Sequence, residues 1–287
     1  MEKHQNVKIA YSGIPGCFAY MAALRIFPGA ELISFNNFAK AYKAVENDEC
    51  DKAVLPIENS YAGEVAPVMD LMYQGSLSIE GVYELEIEQC LMGIKGSKET
   101  DIESVMSHPQ ALSQCEKYLS LRNMKSIQCE NTAIAAFNVS KKVDALIGAI
   151  GSIEAAKLYG LDILKRGIND SKDNVTKFTV LRKHMTEDIK FIKNENEKNE
   201  AFILMFTVDN LAGALAKAIA VIGDYGFNMS AIRSRPRKDI NWQYYFYVEA
   251  KGKIDSSRGK AMLGRLRNLC LEVKLLGKFY TDIRLVE

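Results

Sequence analysis

The sequence lacks the features that mark proteins acting on nucleic acids or within membranes. Its 37 Lys and Arg residues nearly balance its 36 Asp and Glu residues, and the net charge of +1 predicts no broad attraction to nucleic acid or to an anionic membrane. It contains no stretch of about 18 apolar residues, so a membrane-spanning helix is not expected. Residues 1–6 contain no apolar run of the kind found in signal peptides.

Metal-binding and dinucleotide-binding patterns are also missing. None of the six cysteines forms a C-x-x-C pair, and no Cys/His cluster has the spacing of a structural zinc site. The glycines of Gly13-Ile14-Pro15-Gly16 do not have the G-x-G-x-x-G spacing. We therefore expect no metal and six reduced, mostly buried thiols, as in a cytoplasmic protein.

Strands and helices alternate in the first part of the chain, which predicts a parallel α/β architecture. Two lobes are expected, one from about 7–85 with 175–185 and one from 86–174, joined by crossing segments that form a hinged cleft. Ligands of such sheets lie where strands end and helices begin. The periodicity also predicts one continuous helix over 109–121 and strands at 144–149 and 178–181.

The last part of the chain has a different order of predicted strands and helices. The nearly all-polar stretch within 186–199 predicts a solvated linker. After it, the pattern predicts the order βαββαβ over 200–287, the ferredoxin-like split βαβ unit. Its first helix is expected to be capped by Asp209 or Asn210, and its last strand is expected at 278–286.

Three polar motifs fall at predicted junctions between strands and helices. They are Pro56-Ile57-Glu58-Asn59-Ser60, His108-Pro109-Gln110-Ala111-Leu112-Ser113-Gln114-Cys115 and Asn174-Val175-Thr176-Lys177-Phe178. Each sets amide, hydroxyl or charged groups beside apolar residues, which suits a cleft for a small anionic molecule. Helix capping is the competing interpretation for Glu58-Asn59-Ser60 and for His108, which precedes a proline in its favoured first-turn position.

Small residues begin several of the predicted helices. Gly16 and Thr132 each stand at the start of one, where free backbone N–H groups can receive an anion. Close packing of neighbouring elements explains the small residues equally well. Lys177, beside the third motif's threonine, is the charge that an anionic substrate would need.

These motifs, taken in order, resemble those of the prephenate dehydratase family. The resemblance covers 1–185 as a two-lobed catalytic domain similar to periplasmic binding proteins, and 200–287 resembles an ACT regulatory domain. Ile150 to Leu161 matches the family pattern throughout, and Thr132-Ala133-Ile134-Ala135-Ala136 matches it except at the preceding Asn131, where the family has serine. The chain starts at the first strand, so a preceding chorismate mutase domain is not expected.

Three further positions depart from the family pattern. Ala19 replaces a serine of the glycine-rich segment, Lys177 replaces an arginine, and Arg233 replaces the glutamate before Ser234-Arg235-Pro236. Lys177 keeps a positive charge but loses the bidentate fork of a guanidinium group. Arg233 reverses a charge in the regulatory motif, which bears on effector binding more than on catalysis.

The resemblance implies a decarboxylating dehydration of prephenate to phenylpyruvate, driven by aromatisation and needing no cofactor. It places the acid role on Thr176, with Glu58, Asn59 and Ser60 as further catalytic residues. The implied substrate-binding residues are Gly16, His108, Gln114, Thr132, Lys177 and Phe178. The implied binding residues for the effector, phenylalanine, are Gly213, Ala214, Leu215, Ser234, Arg235 and Pro236.

Several alternatives stay open on the sequence alone. Arogenate dehydratase performs the same chemistry on a substrate with an amino-acid side chain, and a non-catalytic amino-acid sensor would have the same domains. ACT domains of this kind resemble dimerising units, so a homodimer or homotetramer is expected. No nucleic-acid or membrane partner is expected.

Overall fold

The computed structural model describes residues 7–142, 144–183 and 199–286. The predicted linker, apart from Asn199, lies outside these residues, as do His4 and His184. The chain forms two compact units, one of Met1–Met69, Tyr83–Thr179 and Arg284–Glu287, the other of Asp70–Val82 and Val180–Ile283. Within the described ranges, no helix has the length and apolar character needed to cross a membrane. The same ranges contain no cluster of three or more His, Cys, Asp or Glu side chains that could hold a metal ion.

The first lobe begins with alternating strands and helices, as the sequence pattern predicts. In chain order these elements are β1 (Lys8–Ser12), α1 (Phe18–Ile26), β2 (Glu31–Phe35), α2 (Phe38–Glu46), β3 (Lys52–Asn59), β4 (Gly63–Glu64), α3 (Ala66–Gln74) and β5 (Ser78–Glu86). The Asn37 side chain caps α2 by accepting from the backbone N–H of Lys40.

The chain then crosses into a second lobe and returns. The second lobe contains β6 (Cys90–Gly93), β7 (Ser104–Ser107), α4 (Pro109–Ser113), α5 (Glu116–Leu121), β8 (Lys125–Gln128), α6 (Thr132–Lys141), β9 (Ile147–Gly151), α7 (Ile153–Tyr159) and β10 (Asp162–Lys165), and the returning strand is β11 (Val175–Arg182). The strand orders are β2-β1-β3-β11-β5 in the first sheet and β10-β6-β9-β7-β8 in the second. Two α/β lobes joined by two crossing segments confirm the predicted periplasmic-binding-protein-like fold.

The C-terminal part has the order βαββαβ that the sequence predicts. Its elements are β12 (Glu200–Thr207), α8 (Ala214–Asp224), β13 (Asn228–Pro236), β14 (Tyr244–Lys251), α9 (Ser257–Arg267) and β15 (Glu272–Tyr280). The strands form one antiparallel sheet in the order β13-β14-β12-β15. Apolar side chains of both helices and of the sheet, including Phe202, Phe206, Ile222 and Leu266, form one buried core.

The predicted helix over 109–121 is wrong, because a tertiary contact divides it. α4 ends at Ser113 and α5 begins at Glu116. The backbone carbonyl of Gln114 accepts from the N–H of Asp170 at 2.7 Å, and the Asp170 carboxylate accepts from the N–H of Lys117 at 3.3 Å. Asp170 thus takes over backbone groups that would otherwise continue the helix.

Four other sequence-based boundaries are also corrected. The strand predicted at 144–149 lies at Ile147–Gly151, and the one predicted at 178–181 begins at Val175. The last strand is Glu272–Tyr280, because it pairs antiparallel with β12 along that strand's whole length. α8 is capped by Gly213, with φ of +80°, and not by Asp209 or Asn210, because 209–214 forms a turn in which the N–H of Ala214 donates to the carbonyl of Leu211.

Candidate active site

Two of the three polar motifs meet where neighbouring strands of the first sheet lie side by side, and the third reaches them from the second lobe. Asn59 is the last residue of β3, and Asn174 and Thr176 lie at the start of β11. Gln114 comes from the end of α4 in the second lobe. The side chains of these four residues are almost fully buried, and one continuous set of hydrogen bonds joins them.

The Asn59 side chain is fixed in a single orientation. Its Oδ1 accepts from the backbone N–H groups of Tyr61 at 3.1 Å and Ala62 at 2.9 Å. Its Nδ2 therefore points the other way, where it donates to Asn174 Oδ1 at 2.8 Å and to Thr176 Oγ1 at 2.9 Å. Asn59 thus does not cap the following helix but acts as a donor to the threonine hydroxyl.

The Thr176 hydroxyl is left with its proton uncommitted. The oxygen accepts from Asn59, and no acceptor for the hydroxyl proton is found among the residues that the structure describes. A hydroxyl has one proton to donate, and because its oxygen accepts from Asn59 without using that proton, the proton stays available to another molecule. Thr176 is 8% exposed, so such a bond would form in a largely dehydrated site, where it is stronger than in water.

The Ser60 hydroxyl is bonded to the backbone of the segment before Thr176, and its catalytic role stays a prediction. Its hydroxyl donates to the carbonyl of Asp173 at 2.9 Å and accepts from the N–H of Val175 at 3.0 Å. Its own N–H donates to the carbonyl of Val175 at 2.8 Å. With its single proton committed to the backbone, Ser60 holds the segment before Thr176 in place.

Glu58 and Lys177 lie on the same two strands and form an ion pair. Lys177 Nζ is 3.5 Å from Glu58 Oε2, and the two side chains are 32% and 26% exposed. The sequence predicts Lys177 as a ligand for a substrate carboxylate and Glu58 as a support or an acid. In this structure Lys177 and Glu58 therefore bind each other. Because both side chains are partly exposed, the ion pair contributes little to stability.

His108 takes the structural role that competed with catalysis. It caps α4, with Nδ1 accepting from the N–H of Gln110 at 3.2 Å. Burial lowers the pKa of His108, so the imidazole is neutral near pH 7 and carries its proton on Nε2. The Nε2–H group is the part of His108 that remains for a ligand.

Gly16 brings the two lobes together. It has φ of +90°, and its carbonyl accepts from Ser152 Oγ at 2.7 Å. A Cβ atom at Gly16 would lie 3.0 Å from the Cα of Ala155. Tyr159 also donates to the carbonyl of the neighbouring Pro15, at 2.7 Å. The close approach thus supports the packing interpretation of this glycine, and anion binding at Gly16 stays a prediction.

Thr132 is the first residue of α6. The N-cap of this helix is Asn131, which stands where the family pattern has serine. Asn131 Oδ1 accepts from the N–H of Ala133 at 2.7 Å, so its Nδ2 faces away from the helix. In the described part of the chain, neither the Asn131 amide nor the Thr132 hydroxyl finds an acceptor. Asn131 keeps the capping function of the family's serine and adds a donor that the sequence-based site did not include.

Phe178 lies in the core. It is 2% exposed and is among the largest fully buried side chains of the chain. It lies two residues after Thr176 on the same strand, so both side chains point to one face of the sheet, and a direct contact with substrate stays a prediction.

The predicted effector residues of the C-terminal part fall into two groups. Gly213, Ala214 and Leu215 form the start of α8, which has no side-chain cap and no acidic residue in its first turn. Ser234 and Pro236 lie on β13 and are exposed. A helix start without a capping side chain leaves backbone N–H groups that can bind a carboxylate.

Arg235 is engaged elsewhere. Its Nε and Nη2 donate to Asp70 at 2.9 and 3.3 Å, while Tyr245 and Lys238 also bond the Asp70 carboxylate, at 2.7 and 2.9 Å. Burial raises the pKa of Asp70, but hydrogen bonds from Arg235, Lys238 and Tyr245 outweigh it, and the net effect lowers the pKa. This Asp70 cluster belongs to the second compact unit. Arg235 is part of it, and a direct contact of Arg235 with an effector stays a prediction.

Aromatic and basic side chains extend the Asp70 cluster. Tyr73 stacks on Tyr245 with ring centroids 4.1 Å apart and donates to Glu272 at 2.9 Å. Lys274 donates to the carbonyls of Met72, Tyr73 and Gly75, at 2.7 Å for Met72, which neutralises the negative end of α3. No local pattern in the sequence marks these residues, because their partners lie 165 to 202 residues away.

A large cavity of the first compact unit is distinct from the Asn59–Thr176 site. Its volume is about 810 Å³, and Val175 contributes to its lining whereas Thr176 does not. Charged side chains around it are paired, Arg25 with Glu154 at 3.5 Å and Arg166 with Glu88 at 2.8 Å. The cavity therefore does not collect charge of one sign for a substrate.

Comparison with known proteins supports the motif-based assignment. The model of the family described as prephenate dehydratase matches residues 9–186. Arogenate dehydratase/prephenate dehydratase 1, chloroplastic, of Arabidopsis thaliana is 35% identical over 292 residues, covering 97% of this chain and 73% of its own length. The bifunctional chorismate mutase/prephenate dehydratase of Aquifex aeolicus is 32% identical over 278 residues, covering 96% of this chain and 74% of its own.

Two solved structures superimpose closely on this chain. A prephenate dehydratase from Arthrobacter aurescens in complex with L-Phe superimposes with a TM-score of 0.85 at 26% identity, covering 96% of this chain and 90% of its own. A structure described as a quorum-quenching acylase, GqqA, gives the same TM-score at 27% identity, covering 96% of this chain and 98% of its own. Because the family model spans more than half of the sequence and the motifs carry its pattern, the chain belongs to the prephenate dehydratase family.

Proposed function

We propose that this chain is a prephenate dehydratase, which converts prephenate to phenylpyruvate, carbon dioxide and water. The bond from the ring carbon to the hydroxyl breaks as the ring carboxylate leaves as carbon dioxide, and its electron pair completes the aromatic ring. The leaving hydroxyl must gain a proton to depart as water. The observation that carries the proposal is the Thr176 hydroxyl, which accepts from Asn59 and keeps its own proton for a ligand.

Thr176 would act as a strong hydrogen-bond donor to the leaving oxygen. A threonine hydroxyl is a poor acid by itself, so a fixed donor into its oxygen is needed to increase its acidity as charge develops. Asn59 supplies that donor, and its orientation is set by the backbone N–H groups of Tyr61 and Ala62. A preorganised donor of this kind contributes about 2.7–4 kcal/mol to the stabilisation of a transition state.

The other substrate groups would be held by donors around this centre. Prephenate carries two carboxylates, and Lys177, the Asn131 amide, the Thr132 hydroxyl and the start of α6 are the groups available to them. α6 is a helix of ten residues with no acidic residue in its first turn, which favours an anion at its start. Lys177 would exchange its bond with Glu58 for one with a carboxylate.

The test is phenylpyruvate formation from prephenate by the purified protein without added metal. We expect turnover that a chelator does not reduce, because the proposed chemistry uses only protein donors. Turnover that is lost with a chelator and restored by a divalent ion would contradict the mechanism. Absence of turnover with both prephenate and arogenate would exclude the dehydratase function.

Arogenate dehydratase is the second candidate, because the Arabidopsis relative at 35% identity carries both activities in its name. Both substrates share the ring, the leaving hydroxyl and the ring carboxylate, and they differ only in a keto or amino group on the side chain. Assaying phenylpyruvate from prephenate and phenylalanine from arogenate in parallel separates the two. A non-catalytic sensor would bind these compounds without forming either product.

The likeness to GqqA does not lead us to propose acyl transfer. That reaction needs an activated nucleophile beside a base. The Ser60 proton is committed to Asp173, and His108, which alone among the histidines lies in the described residues, caps α4. Burial raises the pKa of Cys17 to about 11 and that of Cys115 to about 12, so neither thiol ionises near neutral pH.

We further propose that phenylalanine binds the C-terminal domain and lowers activity, with its carboxylate at the start of α8. Ser234 and Pro236 of a second subunit would complete the site. β13 pairs with β14 along one side, and the opposite side has no strand partner among the described residues, so a second copy of the chain could cover it. Inhibition would follow from a higher affinity of phenylalanine for a less active conformation.

Calorimetric titration tests the effector site directly. Gly213→Ala is expected to weaken phenylalanine binding severalfold or more, because φ of +80° strains any residue with a Cβ atom. Gly223→Ala, in the same helix with no atom within 4 Å of the added methyl group, is the control and should bind normally. No heat and no inhibition with millimolar phenylalanine, tyrosine or tryptophan would show that the domain serves assembly alone.

A further inference from the structure

Asn174 connects two side chains that face the proposed chemistry. It is 2% exposed, and its backbone carbonyl accepts from the N–H of Ile87 at 2.8 Å, which fixes it between the two crossing segments. We propose that Asn174 is the positioning residue that sets the donor direction of Gln114 and holds one amide hydrogen of the already oriented Asn59, a role that rests on the proposed dehydratase function. It acts through these two residues and does not itself touch the substrate.

On one side, Asn174 supports the amide that bonds Thr176. Its Oδ1 accepts from Asn59 Nδ2 at 2.8 Å, the same nitrogen that donates to Thr176 at 2.9 Å. The Asn59 amide has two hydrogens: one is held by Asn174, and the other is shared between Thr176 Oγ1 and the more distant Val175 carbonyl, at 3.2 Å. An acceptor at 174 keeps this nitrogen on the catalytic side.

On the other side, Asn174 sets the orientation of Gln114. Gln114 Oε1 accepts from Asn174 Nδ2 at 3.1 Å and from Gln89 Nε2 at 3.4 Å. With its oxygen held by two donors, Gln114 must present its amide nitrogen in the remaining direction. That nitrogen donates to none of the residues that the structure describes, so it is available to a polar group of the substrate.

This arrangement leaves one buried acceptor of Gln89 without a hydrogen bond among the described residues. Its side chain is buried at 2%, and its Oε1 has no partner in the described part of the chain. If the Gln89 amide were turned by 180°, Gln89 Oε1 would take the place of Nε2 and would face Gln114 Oε1, and two oxygens would then repel each other. Buried acceptors are seldom left unsatisfied, and one retained beside a site indicates that the orientation of its neighbour matters more.

Only a side chain with one donor and one acceptor at position 174 can hold both neighbours. Asn174→Asp tests this requirement with almost no change in shape. The ionised carboxylate still accepts from Asn59, but it cannot donate to Gln114, whose amide would then turn and present its oxygen to the substrate. Once protonated, the carboxyl group donates again and restores the original direction.

The experiment compares kcat for wild-type protein and Asn174→Asp from about pH 5 to pH 9. At the alkaline end we expect kcat of the variant to fall about a hundredfold, the loss typical of one misplaced donor. Relative to wild type, it should recover as the pH falls, because protonation returns the donor. Burial raises the pKa of the introduced carboxyl group, which brings the recovery into the accessible range.

Asn169→Asp is the matched control. Asn169 lies in the same crossing segment and bonds Ile87 and Gln89 through their backbones, but it has no bond to Asn59 or Gln114. The charged or titratable groups on the elements around position 174 include Glu58, Glu86, Glu88, His108, Cys115, Arg166, Asp170, Lys172, Asp173 and Lys177, and among the described residues none of them bonds the Asn174 side chain. An equal, pH-reversible loss in Asn169→Asp would assign the effect to added charge and overturn the proposal.

The outcomes separate this inference from the proposed function. Active wild-type protein with an Asn174→Asp variant that is equally active, or impaired independently of pH, overturns the positioning role. If wild-type protein has no dehydratase activity, NMR of the Gln114 and Asn59 side-chain amides still tests it, and unchanged resonances in the variant would overturn it.

If Asn174→Asp folds poorly, Gln114→Glu can be tested in its place. The introduced carboxylate still accepts from the side-chain amides of Asn174 and Gln89. We expect the same recovery at low pH in this second variant, where protonation gives the outward oxygen a hydrogen to donate. A loss that does not depend on pH would contradict the proposal.

Discussion

Thr176→Val is expected to lower kcat by about 10²–10³-fold, with little change in the stability of the fold. Valine has nearly the same shape, so the variant removes the hydroxyl without opening a cavity. It also leaves the Asn59 amide with its bonds to Asn174 Oδ1 and the Val175 carbonyl, which limits the cost of the lost acceptor. Steady-state kinetics with prephenate and arogenate measure the effect.

Thr176→Ser is the matched control for this result. It keeps the hydroxyl and the bond from Asn59 while removing one methyl group, and it should retain most of the activity. Near wild-type turnover in Thr176→Val would remove Thr176 from the chemistry. Equal losses in both variants would instead indicate a packing effect of the methyl group.

Asp70→Asn is expected to lower the free energy of unfolding by about 1.5–3 kcal/mol at pH 7, the contribution of a hydrogen bond to a charged group. The Asp70 side chain is 8% exposed, and its substitution leaves Arg235 without its carboxylate partner. Because the folded pKa of Asp70 is lowered, its stabilisation is present above the unfolded pKa and is lost as the pH falls through the folded one. The difference between wild type and variant should therefore shrink in acid.

Calorimetric unfolding across this pH range measures the Asp70 effect. Asp239→Asn is the control, because Asp239 pairs with Arg237 in the same compact unit but is 54% exposed, and its substitution should leave stability nearly unchanged. A difference between wild type and Asp70→Asn that stayed constant down to strongly acidic pH would show that the charge of Asp70 is not the source of the stabilisation.

The lobes could be predicted because their elements carry strong local patterns. β1 and β3 are apolar runs that end at the predicted junctions. The meeting of Asn59 with Thr176 did not follow from parallel strand order, because Asn59 ends β3 whereas Thr176 stands at the start of β11. Strands such as β8, with the sequence Lys-Ser-Ile-Gln, and β10, with Asp-Ile-Leu-Lys, escaped prediction. Both lie at the edges of their sheet, where partial exposure removes the apolar signal.

The detailed roles in the site could not be predicted, because they depend on partners distant in the sequence. Nothing local shows that the Ser60 hydroxyl is used by Asp173, or that Asp170 divides the helix after Ser113. The motif places Arg235 with the effector because Ser234 and Pro236 beside it match the family's effector pattern, whereas its carboxylate partner Asp70 lies 165 residues earlier. A sequence motif can predict which residues lie close together in the site, but the role of each residue depends on its hydrogen bonds in the folded structure.

The contact between Gly16 and Ala155 carries a consequence for how this protein can vary during evolution. A side chain at 16 would enter the space of Ala155, and Ala155 can become smaller only by becoming glycine. A larger residue at 16 would press on the Ala155 backbone and would also be strained by the φ of +90°, beside the bond from Ser152 to the Gly16 carbonyl. Natural variants should therefore keep the two sites small together, so that drift elsewhere in the lobes leaves this pair almost unchanged.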